Sequence, residues 1–523
     1  MSQPGQYRKV LLINPPGVVY LFPDGRPAHR KHCAPTMGLA YLAANLLQHG
    51  YEVEVLDILA EGYSNEEVHK EQNVLVYGLP LQKVIERVRR AAPDLIGMSV
   101  LFSSGAMEAH RICKALKDEF PGLPIVLGGQ HPTGAPYEVM KDGSIDYVML
   151  GESDLTFVSL LDALNGKLPL ASVIGLVYRE GDEVRNTLAG VKPVYEGKGY
   201  NYYLARDSGI PMKLDELPRP AWHLFPMASY WNVDVRISGG DAAGERYAVM
   251  MSTRGCPHVC YYCTSPLQSG YKGYRRRSND AVVAEIHWLI QEFGVEEVMF
   301  FDDNFFVSVP RAKELVRLIA KEFPRTMFSV PGGTEVNALD DEMIDLLAAA
   351  NFYKLTLNIE SGNQEIQNAL IDKKVKLHRI PQLVQRLRDR GIETKAMLMI
   401  GFPGEKRASI ERTVQLAKSL DVDDFFLSIV APLPGTPLWD ETKEKGLFIE
   451  GSSLNTVRYS NSTITLPDLT PEELEGIRYQ TWKESFEERR RRISARRHKK
   501  FEDRREYETI GFKSLSPPKV EVE

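Results

Sequence analysis

The chain has 523 residues, of which 26% are charged and 43% are hydrophobic, so it is long enough for two or three soluble globular domains. Its 64 basic and 70 acidic side chains give a net charge of -6, which argues against a general nucleic-acid-binding protein. No apolar run reaches the roughly 20 residues of a membrane span, and the N-terminus lacks the apolar core of a signal peptide. We therefore expect a cytoplasmic protein with no membrane or nucleic-acid partner.

Short apolar runs alternate with segments of helical periodicity from residue 8 to about residue 165. This alternation predicts a doubly wound, Rossmann-like α/β domain over residues 1–170, with a parallel sheet covered by helices on both faces. No GxGxxG motif follows the first strand, so a nicotinamide-dependent dehydrogenase is disfavoured. Ligands of such sheets bind at the carboxyl ends of the strands. The candidate binding loops therefore lie at residues 14–17, 99–104, 128–134 and 151–152.

Residues 171–245 lose this rhythm, and we interpret them as an irregular connector. The alternation resumes in residues 246–445 with six strand-helix units, which predict a partial (β/α)6 barrel because a closed barrel needs eight. Residues 446–523 are a predicted helical extension. Within it, residues 487–505 carry ten Lys or Arg and four acidic residues, a local charge of +6. A solvated helix face and a surface for a phosphate-bearing ligand or partner are both open interpretations.

Three of the five cysteines form a CxxxCxxC pattern, Cys256, Cys260 and Cys263, directly after the first predicted barrel strand. Thiolates are soft ligands that select zinc or iron-sulfur clusters. A structural zinc site needs a fourth protein ligand, for which His258 is the nearby candidate. Three thiolates with an open fourth position instead suit a [4Fe-4S] cluster. Spacing, ligand number and location favour the cluster over zinc.

With Tyr262 before the third cysteine, this pattern resembles the radical S-adenosylmethionine enzymes. The resemblance implies that the three cysteines hold a [4Fe-4S] cluster whose fourth iron chelates the amino and carboxylate groups of S-adenosylmethionine. One electron then cleaves the sulfonium to a 5'-deoxyadenosyl radical. For Asp303, a solvated or helix-capping role is the open alternative. The implied contacts to S-adenosylmethionine are Tyr262, Asp302, Asn304, Glu360, Ser361, Gly401 and Pro432.

The first domain, placed ahead of this barrel, resembles that of the cobalamin-dependent (class B) radical S-adenosylmethionine methyltransferases, and the resemblance covers residues 8 to about 440. No DxHxxG motif follows the first strand, so we expect His131 to be a hydrogen-bonding loop residue rather than a cobalt ligand. The glycines at 128 and 129 are expected to let the corrin macrocycle or its nucleotide tail approach the backbone. The implied cobalamin contacts are Pro15, Ser99, Ser103, Gly128, Gly129, His131, Pro132, Gly151 and Glu152.

The methylthiotransferases also join an α/β domain to this kind of barrel, but they need three more cysteines for a second cluster. Only Cys33 and Cys113 remain, about 80 residues apart, and we expect both to be ordinary thiols. A tRNA-modifying function is therefore disfavoured.

The resemblance implies methylation of an unactivated carbon, or of phosphorus, in a small-molecule substrate of natural-product biosynthesis. The 5'-deoxyadenosyl radical would remove a hydrogen atom, methylcobalamin would donate the methyl group, and flavodoxin or ferredoxin would supply electrons. Segments 57–63, 77–79 and 220–223 look closest to the phosphonate methylases of the fosfomycin type, which would make the substrate anionic or nucleotide-linked. The alternatives are cyclisation, ring contraction or oxidation with the same cofactors, and a non-catalytic metal- or cobalamin-binding module.

Overall fold

The computed structural model describes residues 7–21, 25, 27, 31–188, 195–197, 200–202, 210–211, 213–233, 243–269, 273–452 and 459–484. The basic stretch 487–505, with its two interpretations, lies outside the described residues. None of the described helices is long and apolar enough to cross a membrane.

The first domain is built on a sheet of seven strands within the described residues, in the order β10-β9-β8-β7-β6-β1-β3. Strands β3, β1, β6, β7 and β8 are parallel, and β9 and β10 join antiparallel at one edge. A small antiparallel sheet has the order β2-β5-β4. The strands are β1 (Lys9–Asn14), β2 (Gly17–Tyr20), β3 (Glu52–Asp57), β4 (Glu66–His69), β5 (Val74–Tyr77), β6 (Leu95–Ser99), β7 (Ile125–Gly128), β8 (Tyr147–Met149), β9 (Leu176–Glu180) and β10 (Glu183–Asn186).

Strand β1 shows why helices cover both faces of this sheet. Its side chains alternate between two hydrophobic clusters: Val10 and Leu12 belong to one, and Leu11 and Ile13 to the other. All four are at most 1% exposed, so neither face of the strand meets water. The doubly wound fold predicted for the first domain is confirmed. The described helices of this domain are Met37–Gln48, Ile58–Glu61, Leu81–Ala91, Ala106–Glu119, Gln130–Gly134, Pro136–Val139 and Thr156–Leu164.

The region predicted as a connector begins with regular structure. Strands β9 and β10 form a hairpin at Gly181, whose φ is +63°, and β9 pairs with β8. The hairpin covers the backbone of β8, which would otherwise be an exposed sheet edge. The first sheet thus extends to Asn186, inside the range assigned to the connector, and the other assigned domain limits stay predictions. Farther along lie the paired strands β11 (Tyr195–Gly197) and β12 (Tyr200–Tyr202) and the helix Met227–Trp231.

The second half of the chain forms the predicted partial barrel. In the described part of the barrel, six parallel strands, β13 and β16 to β20, are hydrogen-bonded to one another in sequence order, while β14 and β15 form a short antiparallel pair. The strands are β13 (Tyr247–Met250), β14 (Thr253–Arg254), β15 (Arg275–Arg276), β16 (Glu297–Phe300), β17 (Met327–Val330), β18 (Phe352–Glu360), β19 (Glu393–Ile400) and β20 (Asp424–Ile429). The described helices are Ser265–Ser269, Asn279–Phe293, Val309–Glu322, Asp341–Ala349, Gln364–Leu370, Ile380–Asp389, Arg407–Ser419, Pro437–Glu444 and residues 471–484.

The helix Asn279–Phe293 shows how local sequence sets these elements. The Ser278 side chain accepts a hydrogen bond from the Ala281 backbone N–H and caps the N-terminus, while Gly294 ends the helix in the left-handed region. Apolar residues at helical spacing then face the strands. They are Val282, Ile286 and Leu289, each fully buried.

Candidate active site

Four adjacent strands of the first sheet end at one edge with residues that the sequence predicts to bind cobalamin. Ser99 and Gly128 are the last residues of β6 and β7 and lie opposite each other in the sheet register. Pro15 follows β1 directly, and Gly151 follows β8. Because β8, β7, β6 and β1 are neighbours, these residues share a single rim. Their contact with cobalamin stays a prediction.

His131 is a buried, hydrogen-bonded residue of the short helix Gln130–Gly134 that follows β7. Its Nδ1 atom lies 3.0 Å from the Ser103 hydroxyl, which joins two of the predicted loops. Burial, with a smaller effect of His110, lowers the pKa of His131 to about 4. The imidazole is therefore neutral at physiological pH, and Pro132 beside it is also buried. Its role as a hydrogen-bonding residue near cobalamin, rather than a cobalt ligand, stays a prediction.

The two predicted glycines of the β7 loop differ in what surrounds them. Gly129 has a φ of +107°, and a Cβ atom there would lie 2.6 Å from the Val100 carbonyl oxygen. The backbone just after β6 therefore leaves no room for a side chain at this position, and the expected approach of the macrocycle to Gly129 stays a prediction. At Gly128 the nearest atom to an added Cβ is the Met149 carbonyl oxygen at 3.8 Å, so the protein itself leaves room there.

The carboxylate of Glu152 pairs with arginines of the barrel, and its contact with cobalamin stays a prediction. Its Oε2 atom accepts hydrogen bonds from Arg254 at 3.1 Å and from Arg275 at 3.0 Å, and its Oε1 atom accepts one from Arg275. The side chain is only 9% exposed. Glu152 therefore joins the two domains. This role could not be predicted from the sequence, because the partners of Glu152 lie far from it along the chain.

The cysteine loop follows β13 and β14 and starts at Gly255. Gly255 has a φ of +82°, and a Cβ atom there would lie 2.8 Å from the Gly273 carbonyl oxygen. Cys256 and Cys260 are buried, Cys263 is partly buried, and all three thiols are free of disulfides. Burial raises the pKa of Cys256 and of Cys260 to about 12. A bound metal would have to stabilise their thiolate forms.

His258 lies inside the cysteine loop, but its ring is held by carboxylates. Its Nε2 atom lies 3.0 Å from Glu335 Oε2, and its Nδ1 atom lies 3.8 Å from Asp372 Oδ2. The same Glu335 oxygen accepts a hydrogen bond from the Asn304 amide at 3.1 Å. Within the described residues, no three His, Cys, Asp or Glu side chains converge on one metal ion. In a cubane each thiolate would bind a different iron, and Cys256, Cys260 and Cys263 are the three thiolates that would hold it.

The adjacent acids after β16 have different partners. Asp302 is buried and accepts hydrogen bonds from the Ser252 backbone N–H at 3.1 Å, the Ser252 hydroxyl at 2.7 Å and the Thr253 hydroxyl at 2.6 Å. Asp303 instead accepts from the Gly255 backbone N–H and the Ser265 hydroxyl, both at 2.8 Å. Asp303 is therefore the acid that holds the cysteine loop, while Asp302 ties the ends of two barrel strands together. The solvated role considered for Asp303 does not fit these contacts.

Glu360 ends β18 in an unusual backbone conformation, with a φ of +71° for a residue that is not glycine. Its Oε1 atom lies 3.5 Å from Lys373 Nζ. Burial raises the pKa of all three cysteine thiols, and the Lys373 ammonium acts against this effect. Lys373 therefore places a positive charge beside the cluster site. The sequence did not point to Lys373, because this residue lies in a polar loop and not at the end of a strand.

Four further predicted contacts of S-adenosylmethionine lie in the barrel, namely Tyr262, Ser361, Gly401 and Pro432. Burial raises the pKa of Tyr262, and the nearby Glu360 carboxylate adds to the effect. The Ser361 hydroxyl accepts a hydrogen bond from the Asn363 backbone N–H at 3.1 Å. Gly401 has a φ of +88°, and its N–H donates to Glu405 at 2.8 Å. Pro432, after β20, is buried. All lie at the carboxyl ends of strands or in the cysteine loop, and their contact with S-adenosylmethionine stays a prediction.

A cleft of about 960 Å³, part of it open to solvent, lies between the two domains. Ser103 and His131 line one wall, and the barrel residues Leu433 and Arg478 line the other. Thr264, the residue after Cys263, also lines the cleft, and its hydroxyl lies 3.3 Å from Gln130 Oε1. The cleft is therefore lined by two of the predicted cobalamin contacts, Ser103 and His131, and by the residue that follows the third cysteine.

Both halves of the chain match known families. Residues 26–161 match the B12 binding domain, and residues 250–417 match the Radical SAM superfamily. Cytidylyl-2-hydroxyethylphosphonate methyltransferase of Streptomyces wedmorensis is 31% identical over 89% of this chain and 87% of its own length. Anaerobic magnesium-protoporphyrin IX monomethyl ester cyclase of Cereibacter sphaeroides is 24% identical over 81% of this chain and 63% of its own length.

Among solved structures, the radical S-adenosylmethionine methyltransferase TsrM from Kitasatospora setae, with tryptophan and a S-adenosylmethionine analogue bound, has a TM-score of 0.64 to this chain. The similarity covers 84% of this chain and 76% of that one, at 21% sequence identity. At this identity the likeness concerns the fold. It confirms the predicted order of an N-terminal doubly wound domain and a following partial barrel.

Proposed function

Because this chain belongs to the cobalamin-dependent radical S-adenosylmethionine methyltransferases, we propose that it methylates an unactivated carbon, or a phosphorus atom, of an anionic small molecule. The 31% identical relative carries the family assignment. The two domain matches make a [4Fe-4S] cluster, S-adenosylmethionine and cobalamin its cofactors. The protein is thus an enzyme, and the zinc site and the non-catalytic module are set aside. The anionic substrate is proposed from the phosphonate named in that relative.

The observation that carries the proposal is the cleft lined by the predicted cobalamin contacts Ser103 and His131 and by Thr264, which follows the last cysteine of the loop. When bound, the cofactors supply a radical that removes a hydrogen atom and a methyl group that replaces it. Such chemistry is needed because a carbon without an acidic hydrogen cannot become a nucleophile toward a sulfonium. A substrate in the cleft would lie within reach of both cofactors, and holding the reacting groups together lowers the entropic part of the barrier.

The residues of this chain position the two sites. Asp303 and Gly255 fix the start of the cysteine loop. Arg254, which precedes Gly255, is paired with Glu152 and Asp154 of the first domain. The cysteine loop is therefore tied directly to the rim that we propose to hold cobalamin.

The test uses the full chain, purified anaerobically, reconstituted with iron and sulfide and loaded with hydroxocobalamin. It is incubated with S-adenosylmethionine, reduced flavodoxin and cytidylyl-2-hydroxyethylphosphonate, with Cys260→Ala as the control. We expect a product one CH₂ unit heavier, together with S-adenosylhomocysteine and 5'-deoxyadenosine. A wild-type protein that forms neither nucleoside product from S-adenosylmethionine would contradict the proposal.

A second function is favoured by the cyclase relative. In this case the same cofactors would support cyclisation or oxidation without net methyl transfer. The nucleoside products separate the two functions, because only methyl transfer forms S-adenosylhomocysteine beside 5'-deoxyadenosine. A product with an unchanged number of carbon atoms and no S-adenosylhomocysteine would select the second function.

A further inference from the structure

Arg478 is a buried arginine in the barrel wall of the cleft. It belongs to the helix at residues 471–484, and 9% of its surface is exposed. Its Nε–H donates to the Leu427 carbonyl oxygen at 2.9 Å, and its guanidinium carbon lies 5.9 Å from the centre of the Phe426 ring. Across the parts of the chain that the structure describes, no carboxylate forms an ion pair with it. The acid on its own helix, Glu475, is near enough for its charge to act on the pKa of Arg478, but no ion pair forms between them, and its Oε1 atom accepts a hydrogen bond from the Ser462 backbone N–H.

Other buried arginines of this protein have several acceptors. Arg254 and Arg275 share Glu152, and Arg277 lies 2.6 Å from Glu285. Arg311 has no ion pair in the described part of the chain, but it donates to three oxygen atoms. A guanidinium group carries five N–H donors, and buried charges are normally paired.

Arg478 differs because its two Nη groups have no acceptor among the described residues while the side chain lines the cleft. An anion placed there would accept two parallel hydrogen bonds, the geometry in which arginine binds phosphate and carboxylate groups. Burial lowers the pKa of Arg478 to about 10, so the group remains charged at neutral pH.

We propose that Arg478 is an anion-binding residue of the cleft and takes a phosphonate, phosphate or carboxylate group of the substrate. The lining of the cleft is largely apolar, with Val18 on one side and Phe426 and Leu433 on the other, which would weaken the screening of the interaction by water. The inference rests on the proposed function only in identifying the ligand of the cleft as the substrate. The phosphodiester of cobalamin offers the same chemistry, but Arg478 lies on the barrel wall, opposite the predicted cobalamin loops.

The test compares wild type with Arg478→Gln and Arg407→Gln, each as the full chain loaded with hydroxocobalamin. Arg407 is the matched control. It pairs with Glu473, which lies on the same helix as Arg478, but the Arg407 side chain is 41% exposed. Binding of 2-hydroxyethylphosphonate, 3-hydroxypropionate and neutral 1,3-propanediol is measured by calorimetry. We expect wild type to prefer one of the anions over the diol, and Arg478→Gln to weaken that anion about 10- to 100-fold. Arg407→Gln should bind like wild type.

A second measurement identifies the source of the anion. Hydroxocobalamin and cobinamide, which lacks the phosphodiester, are titrated into apoprotein of the same three proteins. For each of the two corrinoids, we expect the three proteins to bind with the same affinity. A loss of cobalamin affinity alone in Arg478→Gln would assign the residue to the cofactor and overturn the proposal. Equal anion binding in all three proteins would also overturn the proposal. A wild type that binds the anions no better than the diol would overturn it as well. These binding assays do not need turnover, so a failed methylation assay leaves their result readable.

Discussion

Arg254 of the barrel and Asp154 of the first domain form a bidentate ion pair, with an Nη1–Oδ2 distance of 2.8 Å and an Nη2–Oδ1 distance of 3.2 Å. Both side chains are 9% exposed. Arg254 stands two residues before Cys256, and Asp154 follows the rim residue Gly151. The pair therefore connects the cysteine loop to the predicted cobalamin rim through two side chains.

Replacing Arg254 by methionine should destabilise the protein strongly. The change leaves the Asp154 carboxylate buried without its cation, and breaking a buried pair costs about 3–5 kcal/mol. We expect a lower free energy of unfolding and a lower thermal midpoint, both measured by anaerobic denaturation followed by circular dichroism. The control is Lys83→Ala, which breaks an exposed pair with Glu86 and should cost less than about 1 kcal/mol. Equal losses in the two variants would show that the ion pair does not hold the domains together.

Replacing Gly255 by alanine should distort the cysteine loop. The backbone there has a φ of +82°, and the new Cβ would meet the Gly273 carbonyl oxygen at 2.8 Å. We expect a loss of about 1–3 kcal/mol in stability, and less iron bound after reconstitution. Gly122→Ala is the control, because no atom lies within 4 Å of an added Cβ there. A variant with wild-type iron content and stability would contradict this prediction.

Replacing Cys260 by alanine should abolish cluster binding. Three thiolates are the protein ligands that we propose, so removal of one should leave little iron and sulfide after anaerobic reconstitution. Chemical iron and sulfide analysis and the visible absorption of the cluster measure this loss. Cys113→Ala should keep full cluster content, because Cys113 packs in the core of the first domain. Retained sulfide in Cys260→Ala would mean that the cluster has other ligands.

The apoprotein should become less stable as the pH falls, and His131 should account for part of this loss. Its pKa is about 4 in the folded protein and 6.5 in the unfolded chain, so the unfolded chain takes up a proton first as the pH falls. The contribution of about 3 kcal/mol is present above pH 6.5 and is lost as the pH falls toward 4. Urea unfolding of wild type and His131→Asn between pH 4 and 7 should show a stability difference that shrinks with falling pH. A constant difference would contradict the burial of a neutral imidazole.

The positions of the strand-end loops could be predicted in both domains, because the carboxyl ends of parallel strands meet at one edge of the sheet and ligands bind there. Ser99, Gly128 and the cysteine loop lie where the alternation of strands and helices predicted. The partners of individual side chains were not predictable. Asp302 and Asp303 are adjacent, yet one accepts hydrogen bonds from the end of β13 and the other from the cysteine loop. Which acid faces which way depends on the backbone path after β16, which residue type does not encode.

The sequence alone determined the order of the two domains, the cysteine spacing and the family resemblance, because these depend on periodicity and on chemistry within a few neighbouring residues. Only the tertiary structure decided that Glu152 pairs with arginines, that Lys373 lies beside the cluster site and that Arg478 lines the cleft without an ion pair among the described residues. Each of these depends on contacts between residues far apart in the chain. Burial there decides whether a charge is paired or left available for a ligand.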